Sequence, residues 1–249
     1  MAVVLKIILI SLLALFCEVI GTVGGFGSSV FFVPLAGLIY DLHVVLGLTA
    51  LFHVSGNLAK IILFRKYIDW KVSLLFGIPG IFAVAIGAIL VSSFDIVFGE
   101  FFLAAFLLLF SVFFFFNREW KAPEGNAYAV AGGGMAGFFA GLIGTGGAVR
   151  GAAMTAFNLP KNIFVATSAT IDMGVDMTRS VIYVKNDFLN TGHLPIIPLL
   201  MVVSFVGSWI GKQVLDGISQ ESFKKFVLFL IFITGIITLI KAMNLPVHG

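Results

Sequence analysis

The sequence predicts an all-α, polytopic helical membrane protein. Of its 249 residues, 60% are hydrophobic and only 11% are charged, whereas soluble domains contain roughly 45–50% apolar and about 25% charged residues. Apolar runs close to the ~20 residues that cross a bilayer core recur along the whole chain. These runs are continuous rather than alternating, which argues against a transmembrane β-barrel. The lipid bilayer is therefore the first expected partner.

The first apolar run, residues 2–20, is interpreted as a retained membrane helix. It has the hydrophobicity of a secretory signal, but it lacks a convincing small-x-small cleavage site and further membrane-length runs follow it. The net charge is only +3, and no basic cluster is interleaved with aromatic residues. We therefore expect no nucleic-acid partner.

Glycine, proline and polar residues divide the chain into ten segments. The first five are expected at 2–20, 28–40, 44–64, 71–92 and 98–116. The second five are expected at 128–143, 148–159, 162–184, 192–215 and 222–243. A hydrophilic linker at 117–127 separates a first membrane repeat, residues 1–116, from a second, residues 128–249.

The two halves follow the same order of elements, so the sequence predicts an internal repeat. Each half contains an apolar segment, a glycine break, a short segment and then a long segment with polar residues. Gly21 and Gly24 of the first half align with Gly141 and Gly144 of the second. A repeat of about half the chain is typical of transporters that hold a central site between two repeats.

The second repeat is expected to be inverted relative to the first, because each repeat has an odd number of segments. The loops at 65–71 and 212–225 are rich in lysine and arginine, whereas the loop at 95–100 has acidic residues and no base. The positive-inside rule places the two basic loops in the cytoplasm and both termini outside. The segments 28–40 and 148–159 are too short for a full span and are candidates for re-entrant helices.

Two glycine-rich breaks, GTVGGFGSS at 21–29 and GLIGTGG at 141–147, interrupt the apolar segments. Free backbone N–H groups in a membrane must be buried in protein or line a wet cavity. The helices that begin after the breaks would also direct their positive ends at them, which attracts anions. The alternative is that these glycines only allow close helix packing. The predicted anion-binding residues of the breaks are Gly24, Gly25, Gly27, Ser28, Ser29, Gly144, Gly146 and Gly147.

Polar residues also recur in the long third segment of each half. They are spaced four, four and three residues apart, which places each set on one face of a helix. The first set is Thr49, His53, Asn57 and Lys60, and the second set is Ser168, Asp172, Asp176 and Arg179.

Ionisable groups in a membrane segment cost at least ~2.5–3.5 kcal/mol each, so they usually face a bundle interior or a pathway. Thr49, Asn57 and Ser168 are predicted substrate contacts. The charge-carrying or proton-coupling candidates are His53, Lys60, Asp172, Asp176 and Arg179. For Asp176 and Arg179 the alternative is a structural ion pair within one helix. Asp172 and His53 have no obvious partner in the sequence.

Arg150 is the best single candidate for the main contact with an anion, because its guanidinium offers a planar fork of donors. The alternative is that its side chain extends to the membrane interface. Glu18, near the end of the first segment, is interpreted mainly as a solvated interfacial residue.

These motifs resemble those of the sulfite exporter TauE/SafE family of anion transporters. The resemblance covers most of the chain, including GTVGGFGSSVFFVPLAG, ALFHVSGNLAKIILFRKYIDW, GLIGTGGAVRGAAMTAFNLP and ATSATIDMGVDMTR. It implies transport of small sulfur-containing anions, such as sulfite, thiosulfate or organosulfonates, usually in bacterial inner membranes. Ser28-Ser29 and the acidic pair Asp172 and Asp176 depart from the family pattern, which leaves the substrate and the direction open.

The sequence and the resemblance together predict a secondary-active exporter that works by alternating access, with a proton as the candidate coupling ion. Both termini would then lie in the periplasm. The alternatives are an anion channel and a membrane-embedded enzyme. The chain has no His-x-x-x-His metal spacing and no Gly-x-Ser-x-Gly nucleophile motif. We therefore expect no catalytic activity, cofactor or metal. The oligomeric state stays open, with a dimer among the options.

Overall fold

A computed structural model describes residues 2–91, 96–117 and 126–244, and these residues form helices joined by short turns, without strands. In the first half the helices are α1 (Ala2–Gly24), α2 (Ser29–Ala36), α3 (Leu42–Phe64), α4 (Trp70–Leu90) and α5 (Ile96–Phe116). In the second half they are α6 (Ala127–Leu142), α7 (Gly146–Thr155), α8 (Lys161–Lys185), α9 (Ile196–Asp216) and α10 (Gln220–Asn244). The all-α prediction is confirmed.

Five of the described helices are long and apolar enough to cross a membrane: Leu5–Gly24, Leu42–Tyr67, Trp70–Leu90, Ile196–Asp216 and Gln220–Met243. This confirms the class of multi-pass helical membrane protein. Helix α8 is equally long, but it carries the charged residues of the second polar set, which lower its hydropathy.

Several predicted boundaries differ from the structure. Helix α1 continues through Gly21 to Gly24, so the first break begins later than the glycine motif does. The segment predicted at 192–215 becomes a regular helix only at Ile196, directly after Pro195, because proline is accommodated at the start of a helix. Residues 118–125 of the predicted linker and residues 92–95 lie outside the described residues.

The helices of the two halves interleave in one bundle. Helix α1 packs on α9, and the corresponding helices of the other half, α6 and α4, also pack on each other. In the same way, α3 contacts α9 and α8 contacts α4. The pairs α3–α8, α5–α10 and α2–α7 each join one helix to the helix five places along the chain. These pairs therefore exchange among themselves when each helix is replaced by the one five places away. This is the pattern expected of two structural repeats; their inversion stays a prediction.

Glycine makes the closest of these contacts possible. A Cβ atom on Gly133 would lie 2.2 Å from the carbonyl oxygen of Phe76, and one on Gly137 would lie 2.1 Å from that of Gly80. One on Gly141 would lie 2.3 Å from the carbonyl oxygen of Val84. These glycines of α6 recur every four residues, as in the small-residue interfaces of membrane helices. For Gly141, close packing is therefore the role that the structure shows.

We expect Gly137→Ala to destabilise the protein, because its methyl group must push α6 away from the backbone of α4. Overpacking of this kind costs roughly 1–3 kcal/mol, so the melting temperature of the purified protein in detergent should fall. The matched control is Gly134→Ala, where a Cβ atom would meet nothing within 4 Å. An equal effect of both substitutions would show that the α4–α6 contact is not the reason.

Candidate functional site

The two glycine breaks meet inside the bundle. After α1 ends at Gly24, the chain turns through Gly27, which has a φ of 93°, and α2 begins at Ser29. After α6, Gly144 has a φ of 83° and α7 begins at Gly146. Glycine adopts these left-handed conformations without the strain that a side chain would cause. A Cβ atom on Gly147 would lie 1.9 Å from the carbonyl oxygen of Phe26, so the second break lies directly against the first.

Neither short helix after a break has a side-chain cap at its start. The N-cap residues are Ser28 for α2 and Thr145 for α7, and neither side chain bonds to its own helix. The N–H groups of a first helical turn have no partner within their helix. The two helices therefore direct their positive dipole ends, and N–H groups that the N-cap side chains leave uncapped, at the junction of the breaks.

Glu18 is the anchor of a buried cluster between α1, α3 and α9. Its side chain is fully buried, and its Oε1 accepts hydrogen bonds from Lys60 Nζ at 2.8 Å and Ser208 Oγ at 2.8 Å. Its Oε2 accepts a hydrogen bond from Ser28 Oγ at 2.6 Å. The prediction of an interfacial Glu18 is therefore wrong, because α1 continues past Glu18 and α3 supplies a buried lysine as its partner.

Glycine residues make room for this cluster. A Cβ atom on Gly56 would lie 2.5 Å from Glu18 Oε1, and one on Gly207 would lie 2.8 Å from Glu18 Cβ. Three helices can therefore close around one carboxylate. This close approach is the feature that the linear sequence did not reveal, since no spacing rule relates Glu18 to Gly56 or Gly207.

His53 links the glutamate cluster to α8. Its Nε2 lies 2.8 Å from Ser28 Oγ, and its Nδ1 lies 3.5 Å from Asp176 Oδ2. Asn57 Nδ2 donates a hydrogen bond to the same Asp176 oxygen at 2.6 Å. The two polar faces that the four-four-three spacing predicted therefore face each other across the α3–α8 contact.

Arg179 is held by contacts within α8 and with the end of α6. Its Nε donates to Asp176 Oδ1 at 2.7 Å, and its Nη1 donates to the carbonyl oxygens of Ala140 at 3.2 Å and Gly144 at 3.3 Å. Tyr183 donates to the carbonyl oxygen of Gly141. Carbonyl groups at a helix C-terminus attract cations. The geometry thus favours the alternative in which Asp176 and Arg179 form a structural ion pair. Arg179 also caps the C-terminal end of α6.

Arg150 projects from α7 into the same interior. It is 2% exposed, which rules out a side chain extended to the membrane interface. Its Nη1 and Nη2 donate to both carboxylate oxygens of Asp172. Its Nε donates to Ser168 Oγ at 2.9 Å, and Nη2 also donates to the carbonyl oxygen of Phe26 at 3.1 Å. Asp172, for which the sequence showed no partner, is therefore held by a fork of two donors.

The remaining predicted site residues divide into two groups. Gly27 faces the polar interior, because a Cβ atom there would lie 3.6 Å from Asp172 Oδ2 and 3.7 Å from His53 Cε1. The others make local contacts instead. Thr49 donates its hydroxyl to the carbonyl oxygen of Val45, and Ser29 is buried in α2. Gly24, Gly25, Gly144, Gly146 and Gly147 each lie against neighbouring atoms that a Cβ atom would overlap.

We name the buried set of Glu18, Ser28, His53, Asn57, Lys60, Arg150, Ser168, Asp172, Asp176 and Arg179 the polar network. Its charged members are between 0% and 7% exposed, so solvent does not reach them. A separate cavity of about 810 Å³ lies among α5, α7 and α10, and its lining includes no residue of the network. The network is therefore enclosed by the helices and separate from this cavity.

We expect the charges of Glu18 and Lys60 to be strongly coupled. Removal of one partner from a buried ion pair leaves an uncompensated charge and costs roughly 3–5 kcal/mol. Glu18→Gln and Lys60→Met should each lower stability by an amount of this order. The double variant should lose less than the sum of the two, by about 0.5–3 kcal/mol. Thermal unfolding of all four proteins in detergent measures this cycle, and additive losses would contradict the direct pairing.

Comparison with known proteins agrees with the motifs. The family model described as Sulfite exporter TauE/SafE matches residues 10–238 of this chain, a range that contains every member of the polar network. No curated protein gave a significant match to the chain.

Proposed function

Because this chain belongs to the sulfite exporter TauE/SafE family, and is therefore expected to be a membrane anion exporter, we propose the following function. The protein carries small sulfur-containing anions such as sulfite, thiosulfate or organosulfonates across a bacterial inner membrane. It does so as a secondary-active carrier that exposes one site alternately to each side. The observation that carries this proposal is the polar network, which lies where two broken helices from the two halves meet.

The proposed anion site is the junction of α2, α7 and α8 around Arg150 and Gly27. The starts of α2 and α7 contribute positive dipole ends and free N–H groups, as in other anion sites at helix termini. Arg150 contributes a planar fork of donors that suits the oxygens of a sulfite or sulfonate group. Ser168 and Asn57 lie within the same network and complete the set of donors for the anion.

Asp172 is the proposed internal substitute for the substrate. In the structure its carboxylate accepts hydrogen bonds from the guanidinium of Arg150. A transported anion would accept these hydrogen bonds in its place. A carboxylate that pairs with the arginine when no substrate is bound avoids an unpaired buried cation, which would cost several kcal/mol. Arg150 would thus be paired either with Asp172 or with the transported anion. These alternatives give the site two discrete states, as a carrier requires.

The proposed orientation follows from charge. Lys212 Nζ lies 5.6 Å from the ring centroid of Phe64, so the basic end of α9 lies beside the basic turn at 65–67. Lys161, at the start of α8, donates to the carbonyl oxygens of Leu215 and Asp216. These lysines and arginines thus lie at the same end of the bundle. The positive-inside rule assigns that end to the cytoplasm. The termini would then lie in the periplasm.

Alternating access would come from movement of two inverted repeats against each other. The correspondence between the principal helix pairs of the two halves supports this arrangement. The burial of the polar network favours a carrier over an anion channel, because a conducting channel needs a continuous water-filled path. Saturable flux that is stimulated by unlabelled anion on the opposite side would also distinguish a carrier from a channel.

We expect Arg150→Gln to abolish most transport of an organosulfonate into or out of proteoliposomes. Loss of a charge-assisted hydrogen bond costs roughly 1.5–3 kcal/mol, which corresponds to about a 10- to 100-fold weaker interaction with the anion. Asp172→Asn, combined with Arg150→Gln, keeps a buried neutral pair and tests whether any loss comes from misfolding.

The matched control is Lys212→Gln, because Lys212 is a partly exposed cation that pairs with Asp216 outside the polar network. It should transport at the wild-type rate. Wild-type flux in a folded Arg150→Gln protein would overturn the assignment of the anion site to Arg150.

A further inference from the structure

The single hydrogen of the Ser28 hydroxyl limits how His53 can be protonated. Ser28 Oγ lies 2.6 Å from Glu18 Oε2 and 2.8 Å from His53 Nε2, so it contacts both groups at once. An ionised carboxylate can only accept hydrogen bonds, so Ser28 must donate to Glu18 to satisfy that contact. Its oxygen is then left as an acceptor for a proton on His53 Nε2.

The other side of the imidazole faces a second carboxylate. His53 Nδ1 lies 3.5 Å from Asp176 Oδ2. If Nδ1 carried no proton, its lone pair would point at a negatively charged oxygen in a buried site. If Nε2 carried no proton, Ser28 would have to turn its hydrogen from Glu18 to His53. Only the imidazolium, with a proton on each nitrogen, satisfies both contacts.

The charge balance of the interior depends on that proton. Among the described residues, the buried charged side chains are Glu18, Asp172 and Asp176 against Lys60, Arg150 and Arg179, and these three negative and three positive charges sum to zero. Protonated His53 gives the interior a net charge of one positive unit. A monovalent anion then restores neutrality, whereas with neutral His53 it would add an uncompensated negative charge.

We propose that the protonated His53 is the anion-binding state, and that one proton on His53 accompanies each monovalent anion through the transport cycle. This proposal rests on the proposed function and adds three details to it: the residue that carries the proton, the ratio of protons to anions, and the location of the anion site. The anion site lies at Gly27, which is next to both His53 and Asp172. Ser28 is a positioning residue that holds the imidazolium against Glu18.

The surroundings of His53 on every packed element agree with this assignment. Helix α1 brings Glu18, and α8 brings Asp172, Asp176 and Arg179. Its own helix α3 brings Lys60, whose ammonium is already paired with Glu18. From α9 the buried polar residues are the hydroxyls of Ser204 and Ser208, which carry no charge.

The test uses the full-length protein in liposomes with an internal pH dye and a membrane potential held at zero. Methanesulfonate is the probe, because it is the anion of a strong acid and carries no proton of its own. We expect proton and sulfonate to move in the same direction at a ratio of one to one. The affinity for methanesulfonate should be higher in acidic than in alkaline solution.

Two substitutions separate charge from proton movement. His53→Gln has no charge, so it should bind the sulfonate at least tenfold more weakly at every pH. His53→Lys keeps a fixed positive charge, so it should exchange sulfonate across the membrane without pH dependence and without moving protons. The matched control is His43→Gln on the same helix, which should behave like the wild type because His43 packs edge-to-face against Phe188 outside the network.

The outcomes separate this inference from the proposed function. If the wild type moves none of methanesulfonate, thiosulfate or sulfite, the proposed function fails and the inference fails with it. If it moves methanesulfonate without protons, the proposed function stands and the inference is overturned. Proton-coupled flux that persists in His53→Gln would overturn the role of His53.

A second measurement covers the case in which the His53 variants do not fold. Nitrogen-15 NMR of the histidine-labelled wild type reports the protonation of each ring nitrogen, and His53 can be assigned by substituting His43, His193 and His248 in turn. With methanesulfonate bound, both nitrogens of His53 should be protonated. A neutral imidazole in the bound state would contradict the inference.

Discussion

The whole arrangement depends on one constraint: each ionised side chain inside the bundle must have a partner, because lipid offers none. The carboxylates of α1 and α8 are paired with cations on α3, α7 and α8. The pairs Glu18–Lys60 and Arg150–Asp172 each connect two different helices, so charge compensation and helix packing are satisfied by the same contacts. A change at one pair must therefore be transmitted to the helices that hold its partner.

The glycines serve this constraint in two different ways. In α6 and α9 they bring helix axes close enough for short polar side chains to reach each other, as Gly207 does beside Glu18. At Gly27 and Gly144 they allow the backbone to reverse inside the bundle, which places helix starts at its interior. The motif that looks like one repeated feature in the sequence thus combines packing contacts with backbone turns, and Gly27 is the glycine of the breaks that lies beside both Asp172 and His53.

Much of the fold could be predicted from the sequence, since length and hydropathy define membrane helices and the four-four-three spacing fixes which polar residues share a face. The partners could not be predicted. Glu18 and Lys60 are joined only because α1 and α3 pack around Gly56, and Arg150 meets Asp172 only because α7 turns back along α8. Such pairings depend on tertiary contacts that no local pattern encodes, which is why the sequence alone places Glu18 at the interface and shows no counter-ion for Arg150.

The central claim is that a transported anion replaces Asp172 at Arg150, next to Gly27. The most direct measurement is a crystal structure of the full chain with 2-bromoethanesulfonate, in which anomalous scattering locates the bromine. We predict a bromine peak beside Gly27, with the sulfonate oxygens within hydrogen-bonding distance of the Arg150 guanidinium and Asp172 displaced from it. A peak only in the separate cavity among α5, α7 and α10, with the Arg150–Asp172 pair intact, would contradict the account.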